Sequence, residues 1–264
     1  MKKTLLLLLI ILCACSAPFA QAIKNYSAEW KKVDEFIQKK NLPKSALTEV
    51  KKIYALAKKE KQDAQIIKSL VYMIGLQQEN REDNEVQAIK EIEKEIAVNK
   101  EPASSILKSL LADLYWQYFQ QYRWRLYDRT NTVNFNKNDI ATWTIEDFHK
   151  KISDLYLQSI QNETALKNTK LEPFDAIIIK GNARYLRPTL FDLLAHRALE
   201  YFKNDERDIK KPSYAFEINQ SEAFAPAEQF AAYKFITKDL SCARNITNLR
   251  DLSKQEDIII TFIK

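Results

Sequence analysis

Glycine is almost missing from this chain: Gly75 and Gly181 are the only two in 264 residues. Glycine-rich phosphate loops, dinucleotide-binding folds and turn-rich β-sandwiches need positive φ or close backbone approach, so the scarcity argues against all three. Histidine is equally rare, with two, and cysteine numbers three, a poor supply for a multi-ligand metal centre. No cofactor is expected. What is present in quantity is 46% hydrophobic and 29% charged residues. That balance predicts a soluble, core-forming domain, and the missing turn-formers make it helical.

The start reads as a leader. Lys2 and Lys3 precede the unbroken apolar run Leu5 to Leu12, and Ala20-Gln21-Ala22 offers an A-x-A cleavage pattern. The run is too short for a stable bilayer span, so residues 1–22 are expected to be a signal peptide and the protein exported, to the periplasm or outer-membrane-associated envelope. An alternative reading of Leu12-Cys13-Ala14-Cys15 is a lipoprotein box with Cys15 acylated, the one route to membrane attachment. Removal of residues 1–22 leaves Cys242 as the lone cysteine, with no histidine near it in sequence and no base offered by Ser241 or Asn245. It reads as a small hydrophobe rather than a nucleophile.

Formal charge is +6, two units of which belong to Lys2 and Lys3. Lysines elsewhere alternate with glutamates, as in Lys90-Glu91-Ile92-Glu93-Lys94-Glu95, the pattern of a solvated helix face. Export and interleaved charge argue against a nucleic-acid partner.

Periodicity of 3.6 dominates from Ser27 to about Gln121. Helix starts are predicted near Ser27, Pro43, Asp63, Asn84 and Pro102, with Asn41-Leu42-Pro43 and the polar stretch from Glu79 to Asn84 as breaks. The third helix should turn Ile67, Leu70, Val71 and Ile74 inward. The fifth, with Ile106, Leu107, Leu110, Leu111, Leu114, Tyr115, Tyr118 and Phe119, is apolar over more than one face and should be covered by several neighbours. The starts recur in pairs about 35–40 residues apart, the period of tetratricopeptide-type units. The expected fold is all-α: antiparallel helix pairs in a solenoid-like, tetratricopeptide-like array, a bundle being the alternative. A long loop is expected near 125–144, where Asn131, Asn134, Asn136 and Asn138 cluster. Helices resume at Ile145 to Ile160 and Thr189 to Lys203; Tyr214 to Ile218 reads as extended and Ala227 to Phe235 as one more helix.

Three features could carry chemistry or binding. Asp192 and His196 lie four apart on one helix, but no Gly-x-Ser-x-Gly turn accompanies them, so a structural role is preferred and no catalytic residue is assigned. The aromatic run Tyr115, Trp116, Tyr118, Phe119, Tyr122, Trp124 and Tyr127, with Arg123 and Arg125 interleaved, must be mostly core because successive positions face different sides. Trp116, Arg123, Trp124 and Tyr127 remain candidates for an interaction surface. Arg184 and Arg187, in the turn before Pro188, could bind an anion or form salt bridges, and the salt bridge is preferred.

Several motifs in order carry a resemblance: Trp30-Lys-Lys-Val-Asp34, Leu42-Pro43-Lys44-Ser45-Ala46-Leu47, Ile53-Tyr54-x-x-Ala57-Lys58, Tyr115-Trp116-x-Tyr118, Arg123-Trp124-Arg125, Trp143, Leu186-Arg187-Pro188-Thr189-Leu190-x-Asp192-x-Leu194-Ala195-His196-Arg197-Ala198 and Phe224-Ala225-Pro226-Ala227. Together they resemble the amino-terminal region of the alpha-2-macroglobulin-like proteins of Bacteroidetes-type bacteria, over roughly Trp30 to Lys238. The resemblance implies an exported protein that traps proteases through a bait segment, macroglobulin β-domains and often a thioester. This chain departs from that pattern: Cys242 is followed by Ala243-Arg244-Asn245 rather than a Cys-x-Glu-Gln motif, and β-sandwich repeats are missing. The expectation is a non-enzymatic helical scaffold over 23–240. Its partners would be downstream macroglobulin domains or other envelope proteins, or, if it is a stand-alone binding domain, a peptide or glycan. Residues 241–264, ending in the apolar run Asp257 to Ile263, are expected to form a divergent, weakly packed tail and the chain to be a fragment.

Overall fold

The computed structural model describes residues 25–78, 81–126, 139–179, 181, 184–204, 225–226 and 228–229. The leader with Cys15, the extended piece from Tyr214 and the tail with Cys242 lie outside them, as do Tyr127 and most of the helix expected from Ala227. Among the described residues 77% are helical and no strand is present. The protein is all-α.

The described residues form eight α-helices in chain order: α1 Ser27–Asp34, α2 Pro43–Glu60, α3 Asp63–Gln77, α4 Asn84–Val98, α5 Ala103–Leu126, α6 Ile145–Ser159, α7 Glu163–Lys167 and α8 Leu190–Phe202. The first continues as a π-helical turn, Glu35–Lys39, before Asn41 enters the left-handed region (φ 50°) and Pro43 opens α2. Lys61, also left-handed, closes α2, and only Gln62 separates it from α3. So short a connection between packed helices makes the pair antiparallel. Asp83 reverses the chain in the same left-handed way before α4.

Contacts follow chain order for α1 with α2, α2 with α3, α4 with α5 and α5 with α6. Near the end α8 instead folds back on α5, α6 and α7. The helix expected to be widely apolar, α5, is covered by α3, α4, α6 and α8, and its Leu107, Leu111, Ala112 and Phe119 are fully enclosed. On α3 the buried arc is rotated from the expected one: Ile66 is 4% exposed and Val71 45%. Burial there is set by which neighbours arrive, not by the helix alone.

Two further differences concern connections. The loop expected near 125–144 begins later, since Arg125 and Leu126 are still helical and Leu126 is buried. Ile140–Thr142 is a 3₁₀ turn whose Asp139 side chain accepts from Ala141 N, and Trp143 stacks on Tyr115 at 5.3 Å; residues 127–138 lie outside the description. The stretch from Gln161 to Pro188 had no predicted element, yet it carries α7 and the 3₁₀ turns Glu172–Phe174 and Arg184–Leu186. Leu166, Leu171 and Phe174 anchor it in the core, and Leu190 N donates to Thr169 O at 2.8 Å.

Candidate functional site

The residues singled out in the sequence fall into separate places. Trp116 turns toward α6 and α8, its ring 5.4 Å from both Phe119 and Tyr201 and 6.0 Å from His149. Trp124 sits two turns further along α5, about 12 Å at 1.5 Å per residue, and is 71% exposed. Arg123 lies over its ring at 5.1 Å and donates from Nη1 to Gln120 Oε1 at 3.0 Å. Arg125 sits over Tyr122 in the same manner, at 5.3 Å. The end of α5 is thus an aromatic and cationic surface that Trp116 does not join.

Arg184 donates from Nη1 to Asp175 Oδ1 at 2.5 Å, tying the turn before α8 to the preceding loop. Arg187 is exposed. Asp192 is 2% exposed and completes a capping box: Thr189 N and Oγ1 donate to its Oδ2 at 2.9 and 2.8 Å, and Asp192 N donates to Thr189 Oγ1 at 3.3 Å. That carboxylate serves the start of α8. Burial and the Arg187 charge hold the His196 imidazole below the ordinary histidine value of 6.5, against the opposing charges of Asp192 and Glu200.

A pH effect follows. The unfolded chain protonates His196 before the folded chain does, so the stability this site contributes is complete above the unfolded value and is lost as pH falls below it. Thermal melts from about pH 7.5 to about pH 5.5 should lose more Tm for the wild type than for His196→Gln; equal slopes would show that the imidazole's protonation is not linked to folding.

Charged groups also join helices. Asp113 on α5 accepts from Tyr156 OH on α6 and from Arg197 Nη2 on α8, while Arg197 Nε donates to Ser109 Oγ at 2.9 Å. Glu95 on α4 accepts from Tyr54 OH and, at 2.9 Å, from both Lys58 Nζ on α2 and Asn99 Nδ2. Burial pushes the ionisation of Tyr54 and Tyr156 to higher pH, so both hydroxyls remain donors at neutral pH.

A cleft of about 570 Å³ opens where α1 meets α3, lined by Asn25, Tyr26, Trp30, Asp34, Gln65 and Lys68 among others. Trp30 is its floor: its Nε1–H donates to Gln65 Oε1 at 2.7 Å and its ring lies 4.7 Å from Tyr72. Lys68 Nζ stands 4.1 Å above the Trp30 ring and 5.7 Å from that of Tyr72. Burial lowers the Lys68 value, with Asp34 opposing. Asp34 marks the junction where α1 passes into its π turn, a type of distortion frequent at functional sites. The packing of Glu172–Phe174 on α3 helps bring Ala176 to the wall.

This cleft was not visible in the sequence. Trp30 and Asp34 are four apart and Gln65 and Lys68 three apart, which places each pair on one helix face. Nothing in either segment says that the two faces meet.

Among the described residues no three His, Cys, Asp or Glu side chains converge to hold a metal ion, and no helix is long and apolar enough to cross a membrane. Compared with family models, curated proteins and solved structures, the chain matches none.

Proposed function

We propose that this chain is a non-catalytic interaction module of an exported alpha-2-macroglobulin-like protein, its antiparallel helix pairs stacked in solenoid fashion. The observation that carries the reading is the use of polar groups: Asp113 and Glu95 tie helices together, and Asp192 caps α8 rather than serving a nucleophile. An enzyme would need a nucleophile, a base and oxyanion donors converging on one point. A module that presents surfaces needs rigid helices instead. In-cell crosslinking with mass spectrometry tests this. Crosslinks from module lysines to macroglobulin-type β-domains are expected; crosslinks confined to unrelated proteins would overturn it. So would ester or peptide hydrolysis that a folded His196→Ala variant loses.

A second reading, a stand-alone exported domain that binds peptide or glycan, is favoured by the cleft beside Trp30 and by the exposed Trp124 under Arg123.

A further inference from the structure

The α1–α3 cleft is rich in donors that the fold leaves without acceptors. Among the described residues, no carboxylate or carbonyl lies within ion-pair or hydrogen-bond reach of Lys68 Nζ, which the two ring faces hold in place. Because Gln65 Oε1 accepts from Trp30, the orientation of that amide is set, and its Nε2 has no acceptor among the same residues. Asn25 repeats the arrangement at the rim, its Oδ1 taking the Ser27 N–H at 2.9 Å and leaving the amide NH₂ over. Exposed Lys31 adds a second ammonium. A partly buried ammonium held against two aromatic faces, with Asp34 acting on it only from beyond ion-pair distance, gains most from an anionic oxygen in direct contact, since charge-assisted hydrogen bonds are about twice as strong as neutral ones.

We propose that this cleft binds the carboxylate end of a peptide, with Lys68 Nζ and Gln65 Nε2 donating to the carboxylate and Asp34 accepting from the peptide's own N–H groups. This rests on the reading of the chain as a binding module and names one site and one class of partner for it.

Three features select that ligand. Asp34 is close enough to act on both Lys68 and Tyr72 electrostatically, which disfavours a doubly charged phosphate and tolerates a single carboxylate. Among the described residues no arginine lines the cleft, so they do not supply the planar fork that suits phosphate. Its volume fits two or three residues rather than a whole helix or a lone anion, within the usual range of about 300–1,000 Å³. A uronic acid would satisfy Lys68 and offer hydroxyl donors to Asp34, but it has no apolar side chain to place against Ala176, Trp30 and Tyr26. Ala176, Trp30 and Tyr26 in the lining offer apolar contact to the last side chain.

The test uses acetylated alanyl-alanyl-phenylalanine with a free carboxylate, the same peptide as its amide, and glucuronate, titrated against the whole chain by calorimetry and tryptophan fluorescence. The free acid should bind at least about tenfold more tightly than the amide, a difference of about 1.4 kcal/mol. Lys68→Met should bring the acid down to the level of the amide and leave the amide unchanged, whereas Lys68→Arg should retain the preference. Lys52→Met, at an exposed pair remote in sequence from the cleft, should change nothing. Equal binding of acid and amide overturns the proposal, as does no binding by either up to about 10 mM. Glucuronate bound more tightly than the peptide, with the same dependence on Lys68, overturns the choice of peptide. Should Lys68→Met not fold, the acid–amide difference on the wild type and on Lys68→Arg decides. Loss of peptide binding alongside intact crosslinks to β-domains would reject the cleft and leave the interaction module standing.

Discussion

Phe148→Ala is expected to destabilise the chain by about 3–5 kcal/mol, the largest loss of any single truncation considered. The side chain is fully buried on α6, with Trp143 at 5.2 Å, Tyr118 at 5.7 Å and Phe119 at 5.9 Å between ring centroids. These neighbours come from α5 and from the turn that leads into α6. Removing the ring forfeits its burial and opens a cavity that rigid aromatic walls cannot close, because none of them can move in without leaving its own stack. Urea unfolding measures the loss. A value under about 2 kcal/mol would mean that the α5–α6 interface collapses easily. Phe148→Leu should recover roughly half of the loss, since it refills part of the volume without the ring contacts.

The second large effect is expected at Asp113. Its carboxylate is shared by Tyr156 on α6 and Arg197 on α8, and Tyr156 is 3% exposed. Asp113→Ala strands a buried hydroxyl and a partly buried guanidinium together, at a cost of about 2–3 kcal/mol. Arg197→Met should cost less, because Tyr156 keeps its acceptor and the methionine still covers the apolar stem's contacts. Tyr156→Phe should cost least, about 1 kcal/mol for one hydrogen bond. This order, read from urea midpoints at constant m-value, distinguishes a structural tie from a surface ion pair. If Asp113→Ala lost under about 1 kcal/mol, the pair would be screened by solvent as surface pairs are.

Helix positions were legible because the information is local. Pro43, the breaks around Asn41 and Asn84, and inward residues such as Phe148, Ile152 and Leu194 repeat at a spacing that only one backbone geometry satisfies. The exposure of Val71 in place of Ile66 shows the limit of that reasoning. A 3.6-residue period tells that one face is buried, yet the width and rotation of the face depend on the helices that cover it. The same holds for Gln161 to Pro188, which has no period of its own and is held by single anchors, Leu166, Leu171 and Phe174, dropped into a core made elsewhere.

From the sequence alone, then, come the all-α class, the starts of most of the longer helices and many of the buried side chains, since each depends on residues three or four positions apart. Tertiary structure decided which helices meet. Asp113 and Arg197 are 84 residues apart, Glu95 and Tyr54 are 41, and Trp30 and Gln65 are 35. Pairings at such separations leave no mark in a local pattern: a lysine on a helix face reads the same whether it faces water or stands over a tryptophan. Lys68 became part of a cleft only when α1 laid Trp30 beneath it.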